Sequence, residues 1–332
     1  MRYLSAAFTL IAGLGVFLTG MNMLSGGLQS AVGPALKKRL PRLPDNPLVG
    51  MSAGALAAAA VNGSGAVALT VIGLVNAGII SLTQAVNIII GANIGTTLSG
   101  LIVALESLDI TVYLSALSFA GLLLTALARR PALKRAGVAV TGLGLIFTGL
   151  SLLSASAAGF RDTGLFGLVF AGAKSPFLLV LAGVLLTAVF QSSAAVNGLI
   201  ILVAVPYGAG GLDIIDGVYI ILGTNTGSCI TAIIASAGRG AAAKRAAAAQ
   251  LIFNAAGTVF FAVLFGLTPP DMAAAYLQRT FSANVKFQLA WFNLFENLLS
   301  AAAALPFIRP LAGLTERLVR DNTDGQKMIL RE

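Results

Sequence analysis

Along the chain, apolar residues run in long blocks separated by short polar turns. Blocks rich in Ala, Leu, Val and Gly cover roughly residues 4–25, 48–75, 79–104, 111–128, 136–156, 176–206, 217–238, 246–267 and 286–306. They are too long for the alternating strands of a barrel, and only helices or closed barrels satisfy their backbone in lipid. The pattern predicts an all-α polytopic membrane protein.

The blocks are not independent. Gly13-Leu14-Gly15-Val16-Phe17-Leu18-Thr19-Gly20 returns as Gly142-Leu143-Gly144-Leu145-Ile146-Phe147-Thr148-Gly149, an offset of 129. Pro47 and Pro176 share that offset, as do Asn62-Gly63-Ser64 and Gln191-Ser192-Ser193. Gly91-Ala92-Asn93-Ile94-Gly95-Thr96-Thr97 matches Gly223-Thr224-Asn225-Thr226-Gly227-Ser228-Cys229 at an offset of 132, which puts an insertion in the polar turn Pro206–Asp216. Internal repeats are an architecture of secondary transporters. The expected organisation is repeat 1 over 1–128, repeat 2 over 129–267, an additional transmembrane helix in 268–312 and a short polar cytoplasmic tail over 313–332. The N-terminus has the look of a signal peptide, but the same segment recurs in mid-chain, so no cleavage is expected.

Composition agrees with a lipid-facing surface. Hydrophobic residues make up 57% of the 332, charged residues only 10%, and mean hydropathy is +0.92. A soluble domain carries about 25% charged residues. The net charge of +9 is no nucleic-acid signal, because the basic residues cluster between apolar spans. Lys37, Lys38, Arg39 and Arg42 form one cluster, Arg129, Arg130, Lys134 and Arg135 another, and Arg239, Lys244 and Arg245 a third. A last set is Arg309, Arg317, Arg320, Lys327 and Arg331. Placed on the cytoplasmic side, they leave Glu106, Asp109, Arg161, Asp162, Asp213, Asp216 and Asp271 outside. Repeat 1 then makes three net crossings, so repeat 2 must be inverted. The stretches 48–75 and 176–206 become re-entrant hairpins from opposite faces, turning at 62–65 and 191–195 and meeting near the midplane. A multi-pass protein of the bacterial plasma (inner) membrane is expected, with its C-terminus cytoplasmic. There is no histidine and one cysteine, Cys229, so histidine metal sites, histidine bases and intrachain disulfides are excluded.

Irregular backbone at membrane depth is tolerated where it lines a cavity, so the tips mark a solute site. At the second tip, Gln191, Ser192 and Ser193 offer amide and hydroxyl donors suited to an oxyanion. At the first, Asn62, Gly63, Ser64 and Gly65 offer fewer side-chain donors, and the glycines permit either close backbone approach or simply a tight turn. Asn93, Thr96 and Thr97, with Asn225, Thr226 and Ser228, lie in stretches of poor helix formers. Unwinding there would free carbonyls for a small hard cation such as Na+; small-residue helix packing is the alternative. Glu296, with Asn293 and Asn297 nearby, is an intramembrane acid whose role is left open. No P-loop, dinucleotide fingerprint, metal cluster or catalytic triad is present, so no enzyme and no cofactor beyond a coupling ion is expected.

Leu185–Asn197, with Gln191-Ser192-Ser193-Ala194-Ala195, followed by Gly223-Thr224-Asn225-Thr226-Gly227, resembles the type II sodium–phosphate cotransporter family. So do Gly91–Thr97 and Phe253-Asn254, and the resemblance covers roughly residues 5–305. It implies import of inorganic phosphate with Na+ by alternating access, with Gln191, Ser192, Ser193 and Ser64 in the phosphate site. The first tip departs from the family's glutamine and three serines, and Ala194 replaces a serine in the second. A different anion or small solute on the same scaffold therefore stays open, as does a passive channel. The partners implied are phosphate, Na+ and the bilayer, as a monomer or homodimer. About twenty polar residues follow Leu311, so the soluble helical C-terminal domain of many bacterial relatives is expected to be missing.

Overall fold

The computed structural model describes residues 2–108, 110–161, 175–209 and 211–320. Among these residues the fold is helical, with one isolated bridge between Val205 and Asp213 in a turn. The sequence charge assignments at Asp109, Asp162, Lys327 and Arg331 lie outside the described residues.

Helix α1 spans Arg2–Arg39, well beyond the predicted 4–25. Next come α2 (Pro47–Val61) and α3 (Ser64–Asn76), which form the first hairpin. Pro47 starts α2 behind an Asn46 cap whose side chain accepts from Leu48 and Val49 N–H; proline suits this position because its missing N–H is not needed there. Then follow α4 (Leu82–Thr96), α5 (Leu98–Ala104), α6 (Thr111–Ser115) and α7 (Leu117–Leu127). The second half holds α8 (Pro131–Arg161), the hairpin α9 (Pro176–Phe190) and α10 (Ser193–Val203), α11 (Ile214–Gly227), α12 (Cys229–Ser236) and α13 (Ala241–Leu267). The C-terminal elements are α14 (Pro270–Thr280), α15 (Val285–Ala304) and α16 (Ile308–Leu318). The region expected to be a polar tail from residue 313 is thus helical as far as Leu318.

Among the described residues, six stretches are long and apolar enough to cross a membrane: Ala7–Arg42, Leu82–Ser107, Pro131–Ser156, Ile214–Ser236, Ala241–Leu267 and Val285–Leu318. The protein is a multi-pass membrane protein. Thr111–Leu127, predicted as a crossing, belongs with the shorter apolar helices, as do both hairpins.

Glycines set how the helices meet. A Cβ added at Gly54 would collide with the carbonyl of Ile88, one at Gly91 with that of Met51, and one at Gly95 with that of Ala55. The same three contacts recur 129 or 132 residues on: Gly183 on Ile220, Gly223 on Val180 and Gly227 on Val184. Both α4 and α11 also begin with a capping box, Ser81 with Gln84 and Asp213 with Asp216. Each hairpin's first helix is therefore pressed backbone to backbone onto the following long helix.

Helices α1 and α8 run antiparallel, with Gly13 beside Leu152, Gly20 beside Ile146 and Gly27 beside Ala139. Their contact is reciprocal. Gly13 packs on Leu152 and Leu153, while Gly142 packs on Met23 and Leu24; Gly20 packs on Ile146, while Gly149 packs on Phe17. A self-complementary contact of this kind is the signature of a two-fold relation. The opposite side of α8 packs against α7 through Gly137 and Gly144.

Gly91→Ala and Gly223→Ala must push backbones apart, which costs about 2–4 kcal/mol and lowers the melting temperature of detergent-solubilised protein. Gly15, with open space around its would-be Cβ, is the control: Gly15→Ala is neutral or raises stability by up to about 1 kcal/mol.

Candidate functional site

The two hairpin tips are built alike. Helix α2 ends at Asn62 in the left-handed conformation (φ 51°) and α9 ends at Gln191 in the same conformation (φ 52°). At each tip the chain re-enters a helix two residues later, so Ser64 and Ser193 become the first residues of α3 and α10. Left-handed non-glycine residues are uncommon, and a pair at matched positions marks two deliberately sharp turns.

Ser64 and Ser193 meet at a small polar cavity of about 10 Å3. Its other lining residues are Asn93, Thr96, Thr97, Asn197, Asn225, Ser228 and Asn293. Most of these are equivalent pairs: Ser64 with Ser193, Asn93 with Asn225, Thr96 with Ser228. None is charged. The first-turn N–H groups of α3 have no side-chain cap at Gly63. In α10, Ser192 accepts from Ala195 N–H at 3.2 Å, leaving the two preceding N–H groups without a cap bond. Such helix starts favour an anion through free N–H groups and the helix dipole.

The hydrogen bonds give the cavity two unlike walls. Asn197 Oδ1, at 2.6 Å, shares the Thr224 hydroxyl with the Ile221 carbonyl at 2.7 Å, and Asn293 Oδ1, at 3.2 Å, shares Asn297 Nδ2 with its own carbonyl at 2.9 Å. Their N–H2 groups remain, and with the Ser64 and Ser193 hydroxyls they make a donor wall. On the other side Asn93 gives Nδ2 to Asn254 Oδ1 and Asn225 gives Nδ2 to Glu296 Oε2, both at 2.7 Å. That leaves their Oδ1 atoms unpaired among the described residues. Thr96, Thr97 and Ser228 donate their hydroxyl protons to the carbonyls of Ala92, Ile94 and Asn225, so toward the cavity they can only accept. This is an acceptor wall.

Several expectations change. The stretches at 91–97 and 223–229 do not unwind. Thr97 and Ser228 interrupt the helices for a single residue with dihedrals still in the right-handed helical region. Their hydroxyls bond the local carbonyls instead, so few carbonyls are freed for a cation. Gln191 is exposed and stands outside the lining. Asn62 is buried, takes the Ser99 hydroxyl on Oδ1 at 2.6 Å and the Ser25 hydroxyl on its carbonyl at 3.1 Å; its Nδ2 has no partner among the described residues. Gly63 faces open space and Gly65 lies near Thr231. Thr226 bonds Thr258 at 2.9 Å and is also outside the lining.

Asn197 leaves no repeat signal in the sequence, because its counterpart in the first copy is Ala68. Asn254 and Asn293 did leave a signal: Phe253-Asn254 recurs as Phe292-Asn293, each pair preceded by a buried glutamine, Gln250 or Gln288. Among the described residues no group of three or more His, Cys, Asp or Glu could hold a transition metal.

No solved structure matches the chain. Residues 16–155 match the profile of the Na+/Pi-cotransporter family. The chain is 32% identical over 306 residues to "Uncharacterized protein YqeW" of Bacillus subtilis, covering 91% of this chain and 94% of that one. It is 24% identical over 319 residues to "Putative inorganic phosphate export protein YjbB" of Escherichia coli K12, covering 95% of this chain but 56% of the relative. Matched along nearly its whole length by such relatives, this chain belongs to the Na+/Pi-cotransporter family.

Proposed function

We propose that the protein is a sodium-coupled symporter that imports inorganic phosphate by alternating access. The observation that carries this is the uncharged cavity with one donor wall and one acceptor wall. An anion moved from water into such a place loses its hydration, and no Lys or Arg of the lining replaces the lost charge stabilisation. Cations bound opposite it can. The Ser64 and Ser193 hydroxyls with the α3 and α10 N-termini take the phosphate oxygens; Asn93 and Asn225 Oδ1, with Thr96, Thr97 and Ser228, take Na+. Phosphate and cation each lower the cost of the other's entry, which is coupling by linkage. Gln191, Ser192, Asn62, Gly63 and Gly65 shape the tips that admit the anion. Thr226 braces α11 on α13 and is not a ligand.

The two copies are read as inverted repeats and their hairpins as re-entrant. The reciprocal contact of antiparallel α1 and α8 supports this, since a two-fold perpendicular to crossing helices lies in the membrane plane. Ser64 and Ser193 in one cavity then sit near the midplane, in the bacterial plasma membrane, with the C-terminus cytoplasmic. A cavity of about 10 Å3 holds roughly one water, so phosphate enters only when a hairpin moves. The tips differ in the way this requires: Asn62 is sealed under Ser25 and Ser99, while Gln191 is exposed.

In proteoliposomes, labelled phosphate accumulates under an inward sodium gradient and does not when potassium replaces sodium. Sodium-independent flux, or none, defeats the proposal; competition by sulfate or organic anions shows whether another solute is the cargo, and accumulation only against the sodium gradient reverses the direction. A second outcome concerns the tips. Gln191→Cys reacts readily with a water-soluble maleimide, while Asn62→Cys reacts far more slowly in the same preparation, against the silent background of buried Cys229. Equal labelling would contradict the asymmetry.

A further inference from the structure

Glu296 is the one carboxylate bonded to a residue of the cavity lining among the described residues. It is 3% exposed, and no described Lys or Arg pairs with it. Its Oε2 accepts from Asn225 Nδ2 at 2.7 Å, and Ser300 Oγ lies 3.4 Å from Oε1. Gly257 brings α13 close: a Cβ there would stand 3.3 Å from Oε1. The ionisable groups on the neighbouring helices make no bond to it. On α11 these are Asp216 and Tyr219, on α13 Lys244 and Arg245, and on α14 Asp271, Tyr276 and Arg279, while Cys229 at the start of α12 bonds Asn254. Lys286, near the start of α15, pairs instead with Glu106.

The chemistry of this contact has a direction. Both Glu296 oxygens accept, Oε2 from Asn225 Nδ2 and Oε1 from Ser300 Oγ, so the amide beside it presents its N–H2. Asn225 Oδ1 is thereby turned away from Glu296, on the side that lines the cavity. In the other half the equivalent Asn93 rests on Asn254, whose own Nδ2 goes to Cys229 Sγ at 3.0 Å. An amide can offer either end, so Asn93 is held less strictly. The two halves of the acceptor wall therefore differ: one is backed by a buried carboxyl group, the other by an amide.

We propose that Glu296 is a positioning residue for the coupling cation, holding Asn225 Oδ1 toward the cavity, so that Na+ binds chiefly on the second-copy side. This rests on the sodium-coupled phosphate function proposed above.

Glutamine can donate as well as accept, so Glu296→Gln lets Asn225 turn. In proteoliposomes the sodium concentration for half-maximal phosphate uptake then rises roughly tenfold, about the weight of one net hydrogen bond. The phosphate half-saturation at saturating sodium stays within about twofold. Glu296→Asp recovers most of the sodium response. Asn225→Ala gives a similar sodium shift, and the double variant adds little to either, since the two act as one unit. Sodium dependence like wild type in Glu296→Gln, an equal loss of sodium and phosphate affinity, or additive shifts would overturn the assignment while leaving phosphate symport standing. Purified protein gives a second readout: sodium, but not potassium, raises the wild-type melting temperature, and Glu296→Gln loses that shift. A wild type that neither melts higher in sodium nor needs it for uptake removes both the assignment and sodium coupling.

Discussion

The structure depends on backbones that touch. In each half, three glycines let the first helix of a hairpin lie against the carbonyls of the next long helix: Gly54, Gly91 and Gly95 in one, Gly183, Gly223 and Gly227 in the other. Among apolar helices surrounded by lipid there is little hydrophobic drive to associate, so close packing and polar contacts between helices must supply the specificity. The glycine contacts also fix depth. Because α2 cannot slide on α4, nor α9 on α11, the sharp turns at Asn62 and Gln191 arrive at a defined level beside Asn93 and Asn225. The central cavity follows from that registry.

The polar groups at the cavity are arranged by what lies behind them. A hydroxyl that donates to its own helix, as in Thr96, Thr97 and Ser228, can only accept toward the centre. An asparagine whose oxygen is engaged behind the cavity, as in Asn197 and Asn293, keeps its N–H2 free to donate. Sidedness thus comes from neutral groups with committed partners, without charged side chains at the centre. Neutral groups suit a transporter, which must release what it binds: a phosphate gripped by buried arginines would leave slowly. The nearest carboxylate, Glu296, stands one residue back, where it biases the site without occupying it.

Symmetry and its breaking have separate roles. The matched contacts supply two hairpins and two long helices of the same construction. The differences, Asn62 sealed and Gln191 exposed, Glu296 against Asn254, Asn197 against Ala68, make the two sides inequivalent. The hydrogen bonds from Ser25 and Ser99 hold the Asn62 tip in place, and no such bond holds Gln191 among the described residues.

Much of this was legible in the residues themselves. Apolar block lengths called for helices, and the offsets of 129 and 132 paired Ser64 with Ser193 and Asn93 with Asn225. These are local or repeated properties, carried by chain order alone. Other features depend on atoms far apart in the chain. Thr97 and Ser228 read as helix breakers, yet their hydroxyls satisfy nearby carbonyls and neighbouring helices hold the backbone in place, so the helix continues. Gln191 read as the leading ligand, but it stands exposed at the left-handed turn, and Ser193, two residues on, lines the cavity. Which end of an asparagine faces a ligand is chosen by its partner, and the partners, Glu296 for Asn225 and Asn254 for Asn93, lie 71 and 161 residues away. Sequence determined which groups could meet in lipid; tertiary packing decided which of their atoms remained unbonded, because a hydrogen bond made on one side removes that atom from the other.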